Sequence, residues 1–160
     1  MTDLTDTQIE SLLAKEKVVL NPRARKKQEG KHFRQDFNVE SADGNDSFKL
    51  YIRQSTVITK GFSAILVWIS STKEETILMR CNGADHPHTN KIEGNKIDCE
   101  FHIHTATERY ITKGMRAESF AIATTEYTDI EGAKNHLCTL CNIKGFENKN
   151  KDERTPDLFK

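Results

Sequence analysis

Phe33-Arg34-Gln35-Asp36-Phe37-Asn38-Val39 and Phe48-Lys49-Leu50-Tyr51-Ile52 flank the polar stretch Ala42-Asp43-Gly44-Asn45. Phe33, Gln35, Phe37 and Val39 alternate with polar neighbours, and Phe48, Leu50 and Ile52 do the same. A period of two is what a strand with one buried face requires, and an Asp-Gly turn joins two such strands as an antiparallel hairpin. Working outward, Phe62 to Ile69 is apolar at every position but Ser63 and predicts a central strand covered on both faces. Residues 76–81 follow the polar turn Ser70-Ser71-Thr72-Lys73-Glu74 as a further strand, 97–104 alternate again, and 118–124, too short for periodicity to decide between strand and helix, is read as a strand. At the N-terminal end, Thr7-Gln8-Ile9-Glu10 has capping-box spacing and Ile9, Leu12 and Leu13 recur at helical intervals, which predicts a helix over 6–18. Thr128-Asp129-Ile130-Glu131 opens a second helix, with Ile130, Ala133, Leu137, Leu140 and Cys141 on one stripe, reaching about 143 and closed by Gly145. The order implies one α+β domain over 1–146, a mainly antiparallel sheet of five or six strands with an N-terminal and a C-terminal helix. Residues 147–160 carry four acidic and four basic residues with only Leu158 and Phe159 apolar, and read as a charged tail that is mobile until bound.

A chain of 160 residues is long enough to bury a core without disulfides or metal. Its longest apolar stretch, 64–69, is far short of the ~20 residues a membrane-spanning helix needs. No basic-then-apolar leader opens the sequence, so the expected location is the cytoplasm, where the four cysteines stay reduced. Cys81 and Cys99 are expected in strand interiors and Cys138 and Cys141 in the helix core. Net charge is zero, yet Lys15, Lys17, Arg23, Arg25, Lys26, Lys27, Lys31 and Arg34 face only Glu16 and Glu29 between positions 15 and 34. Arg23, Arg25, Lys26 and Lys27 are therefore candidates to meet a nucleic-acid backbone or an acidic partner.

Four of the six histidines fall within 19 residues, as His86-Pro87-His88 and His102-Ile103-His104. In 97–104, Ile97, Cys99, Phe101 and Ile103 alternate with Asp98, Glu100, His102 and His104, so the expectation is that the second set lies on the exposed face. If 76–81 pairs with 97–104, Arg80 and both histidine pairs meet at one end of the sheet. Two imidazoles and a guanidinium are what RNA transesterification needs: one ring takes the 2′-hydroxyl proton, another protonates the leaving 5′-oxygen, and the cation stabilises the phosphorane. His102 and His104 are read as the catalytic pair with His86 or His88 assisting, Arg80 and Arg109 as phosphate holders, and Tyr110 as a base-stacking residue. No cofactor and no metal ligand are assigned, since HExxH and other metal-specifying spacings are missing; His102 and His104 with Asp98 or Glu100 and His86 or His88 leave a metal-dependent hydrolase as an alternative.

The order Arg80-Cys81-Asn82, His86-Pro87-His88, His102-Ile103-His104, within about 76–110, resembles the pattern of TumE-like proteins, the toxins of bacterial toxin-antitoxin modules, which tend to carry Arg-Tyr-Asp-Asn, a His-Pro cluster and a downstream His-x-His. The resemblance implies a small RNA-targeting toxin neutralised by an antitoxin protein. The leading expectation is a cytoplasmic, toxin-like endoribonuclease whose partners are RNA and an antitoxin. A non-catalytic inhibitor, phage-borne or plasmid-borne, that docks on a defence complex through the basic segment is the other alternative.

Overall fold

A computed structural model describes residues 3–146; the expected charged tail, 147–160, lies outside the described residues. The chain is α+β. Helix α1 (Asp6–Ala14) is followed by β1 (Lys17–Val19), β2 (Lys27–Glu29), β3 (His32–Ser41), β4 (Ser47–Ser55), β5 (Phe62–Ile69), β6 (Glu75–Asn82), β7 (His88–Thr89), β8 (Lys96–Ile97) and β9 (His102–Thr105). Then come α2 (Glu108–Thr112), β10 (Phe120–Ala123), α3 (Ile130–Leu140) and β11 (Ile143–Lys144). The main sheet runs β10-β9-β6-β5-β4-β3-β1-β11 with β2 on β3, and β7 and β8 pair separately. Among the described residues it has nine strands rather than the five or six expected, because β1, β2 and β11 are too short to leave a periodic signal. Every pairing is antiparallel except β1 with β11. No helix among the described residues is long and apolar enough to cross a membrane.

The predicted hairpin is β3 and β4, with Phe37 opposite Leu50 and Val39 opposite Phe48, all buried. β5 is central and buried on both faces: Phe62, Ala64 and Leu66 join the core with Leu137 and Cys141 of α3, while Ile65 and Val67 are buried on the opposite face. The helix boundaries differ from expectation. Thr5, not Thr7, caps α1, closing a box with Gln8, and the helix stops at Ala14 because β-branched Val18 and Val19 sit where β1 pairs with β3. Asp129 caps α3 by accepting from Gly132 N–H, and the helix ends at Leu140 with Asn142 taking the left-handed turn at φ 57°. Gly145 instead lies in the turn after β11, at φ 117°, where a Cβ would meet the Val19 backbone nitrogen at 3.1 Å.

Lys17 is fully buried. Its ammonium donates to the carbonyls of Leu13 and Lys15 at the end of α1 and of Cys141 at the end of α3, at 2.9, 2.8 and 2.7 Å. One cation thereby satisfies orphan carbonyls from two helix ends and ties them to β1. Burial pushes the Lys17 amine down to about 8.

Candidate functional site: a four-imidazole cluster

β6 and β9 pair as expected, with Arg80 opposite His104 and Asn82 opposite His102. Opposed residues share a face, so Arg80, Asn82, His102 and His104 point one way while Met79 and Cys81 point into the core under α3. The Cys141 thiol reaches Met79 sulfur at 3.7 Å on that core side. The histidines therefore lie on the sheet face away from α3.

That face is not exposed here, which corrects the expected alternation. His102 is 0 % and His104 8 % exposed, whereas Cys99 is exposed and Ile103 half-buried. The run 97–104 is not one strand: it breaks after Ile97 and resumes at His102, and the intervening bend turns the Glu100 carbonyl toward the His102 ring. The β7–β8 hairpin folds over the two rings and brings His88 onto them. Ring centroids are 5.5 Å apart for His86 and His102, 5.9 Å for His88 and His102, 4.7 Å for His88 and His104, and 5.1 Å for His102 and His104. All four histidines singled out from the sequence meet in one cluster.

Each ring has one nitrogen committed. His102 Nδ1 donates to the Glu100 carbonyl and His104 Nδ1 to the Glu118 carbonyl, both at 2.8 Å. His86 Nδ1 meets the Asp85 carboxylate at 2.8 Å. His88 Nε2 donates to Asn90 Oδ1 at 3.0 Å, an atom identified as oxygen because it also accepts from Ala121 N–H while Asn90 Nδ2 donates to the Ala121 carbonyl. The remaining nitrogens, Nε2 of His86, His102 and His104 and Nδ1 of His88, keep lone pairs. His102 Nε2 is buried without any partner. Burial pushes His102 below the usual imidazole range and His104 down to about 3, with neighbouring His88 adding to both. Burial thus favours the uncharged form of both rings.

The arginines divide. Arg80 is half-buried and paired with buried Glu118 at 3.5 Å; burial lowers its pKa, and Arg116 and Arg53 both act on it as like charges. Arg80 thus pairs with Glu118 beside His104, with Arg53 and Arg116 near enough to act on its guanidinium. Arg109 is held elsewhere: its Nε donates to Glu93 at 2.6 Å, its plane lies over Phe120 with a centroid distance of 4.6 Å, and Tyr110 donates to the same carboxylate at 2.6 Å. The Tyr110 oxygen also accepts from Ile92 N–H, and its ring is 1 % exposed. Arg109 and Tyr110 latch the β7–β8 hairpin down, and this burial leaves Tyr110 no free face on which to stack a base.

Sequence reasoning missed Arg53, Asn90, Lys91 and Arg116, and named Asn82 only within the resemblance, without a role. Arg34, Arg53, Ser63, Asn82 and His102 are direct partners across β3, β4, β5, β6 and β9, forming one row on the site's face. Arg34 opposite Arg53 is a like-charge pair, in which Arg34 is offset by Asp36 at 2.8 Å and Glu29 at 3.8 Å. A period-two pattern places Arg53 on a face but cannot reveal which strands stand beside it. A cleft of about 260 Å³ opens next to His88, lined by Lys91, Tyr110, Met115, Arg116 and Ser119. Arg23, Arg25, Lys26 and Lys27 are exposed, and β2 pairs with the start of β3, at the sheet end that also carries Asn82 and His102. Asp98 is exposed beside Lys96, and Glu100 contributes its carbonyl rather than its carboxylate.

Residues 4–143 match a family of unknown function (DUF6978). No curated protein matches the chain, and no solved structure does.

Proposed function

The chain belongs to the DUF6978 family, and we propose that it is a toxin-like endoribonuclease, working in the cytoplasm under the control of an antitoxin protein and cleaving RNA by proton transfer between imidazoles. The observation that carries this reading is the convergence of four imidazoles with Arg53, Arg80 and Arg116 at one end of an otherwise uncharged-on-balance molecule. Histidines supply the proton traffic of transesterification, and guanidiniums supply the site for the non-bridging phosphate oxygens. The resemblance of 76–110 to TumE-like proteins supports the same reading.

The roles within the cluster follow from burial. His86 is exposed and His88 half-buried beside the cleft, so these two are the rings a substrate reaches. One takes the 2′-hydroxyl proton while O2′ attacks phosphorus. The other gives a proton to the departing 5′-oxygen, leaving a 2′,3′-cyclic phosphate and a 5′-hydroxyl. Asp85 orients His86 and faces the charge its ring acquires when doubly protonated. His102 and His104 form the floor that positions the outer rings, in place of the acid-base pair assigned from spacing. Exposed Arg53, separated from His102 by half-buried Ser63 and buried Asn82, gives the RNA backbone a contact beside the cluster, and the exposed basic segment extends it.

The test is incubation of the full chain and of the His86→Gln/His88→Gln variant with cellular RNA in EDTA, followed by analysis of fragment ends. Cleavage by the wild type alone, leaving cyclic phosphate, is expected. No cleavage by the wild type, or equal cleavage by the variant, overturns the reading.

A further inference from the structure

We propose that the same four imidazoles bind one divalent transition-metal ion of the zinc class, through Nε2 of His86, His102 and His104 and Nδ1 of His88. Four observations converge on this site. Each ring donates its other N–H to a carboxylate, an amide oxygen or a backbone carbonyl, the arrangement that fixes the tautomer of a metal-ligating histidine. The lone pair of His102 Nε2 is buried and meets no donor, a cost that an ion removes. The ligand set is all imidazole, which suits zinc, copper or nickel and disfavours magnesium and calcium.

The spacing is the fourth. Metal–nitrogen bonds of about 2.0–2.1 Å place an imidazole centroid about 3 Å from the ion, so rings around a tetrahedral ion have centroids about 5 Å apart. Four of the six ring separations here are 4.7, 5.1, 5.5 and 5.9 Å. Among the described residues, no three His, Cys, Asp or Glu side chains are already drawn in to ligand positions. Closing the site takes side-chain rotation at exposed His86 and half-buried His88, with the two buried rings already anchored. Four protein ligands fill a tetrahedral ion and leave no open position, so the ion is not a Lewis acid for substrate. Instead it occupies the lone pairs that proton transfer uses. If the proposed cleavage holds, on which this clause alone rests, zinc silences it and EDTA restores it.

Metal-stripped full-length protein is titrated with CoCl2, reading the visible absorption of tetrahedral Co2+, and with ZnCl2 by calorimetry. One equivalent bound with intense visible bands is expected, with His86→Gln and His102→Gln each weakening zinc by at least about tenfold. Absence of stoichiometric binding by the wild type, or unchanged affinity in both variants, overturns the site. His86 is exposed, so its variant keeps the test valid should His102→Gln fail to fold. Neither titration uses RNA, so failure of the nuclease reading leaves this result standing, and the converse holds as well.

Discussion

The Tyr127 hydroxyl is buried 2.8 Å from the Asn82 carbonyl and 3.0 Å from the His102 carbonyl, a single donor shared by the two strands that carry the cluster. Burial pushes its phenol well above the usual range, so it stays a donor at every working pH. Tyr127→Phe is expected to cost about 1–3 kcal/mol in urea denaturation, the penalty for two buried acceptors that lose their side-chain donor. Gly83 is a second single-residue determinant. A Cβ there would lie 1.8 Å from the Lys60 carbonyl oxygen, a backbone atom that cannot step aside without shifting the turn before β5. Gly83→Ala is expected to displace the loop carrying His86, lowering the melting temperature by several degrees and broadening the His86 and His102 ring signals in NMR. At this scale the sequence was informative about identity and silent about environment. The four histidines were recognised by proximity along the chain, but alternation assigned His102 and His104 to the wrong side of the burial boundary. Alternation separates two faces; it does not say which face a later hairpin covers.

Two elements act as joints. The first is the meeting of α1, β1 and α3 at Lys17. Burial lowers its pKa from 10.5 to about 8, so between about pH 8 and 10.5 the unfolded chain holds a proton that the folded chain has released. Stability from this group therefore rises with pH across that window, by up to about 1.4 kcal/mol per pH unit, and is flat below pH 8. Lys17→Met, which leaves three carbonyls without their donor, is expected to abolish that rise and to destabilise the fold at pH 7, both read from urea midpoints between pH 7 and 10. The second joint is the β7–β8 hairpin, held by Asn90 on the outer edge of β10 and by Tyr110 and Glu93. Asn90→Ala is expected to raise amide exchange across 88–97 at least about tenfold while the centre of β5 stays protected, since the loosened unit is local. Short strands such as β7 and β8 escape sequence reading because two residues carry no period.

For the whole molecule, the arrangement of charge matters more than its sum. Twenty-four basic and 24 acidic residues cancel, yet Arg34 and Arg53 face each other on the side of the sheet that carries the cluster, and Arg116 and Arg80 stand beside it. If RNA follows this row, Arg53→Ala is expected to weaken its binding and to reduce the slope of log affinity against log salt by about one, as measured by fluorescence anisotropy. An unchanged slope would show that Arg53 touches no phosphate. The sequence by itself determined the α+β class, the central β3–β4 hairpin with β5 beside it, the two terminal helices and the identity of the clustered histidines, because hydrophobic period, turn residues and caps act over a few neighbouring positions. Tertiary structure alone decided that the rings meet, that His102 and His104 are buried, that Arg109 and Tyr110 form a latch, and that Arg53 shares a row with His102. Those facts depend on strand order and on how a loop folds over a sheet face, contacts between residues far apart in the chain that no local pattern encodes.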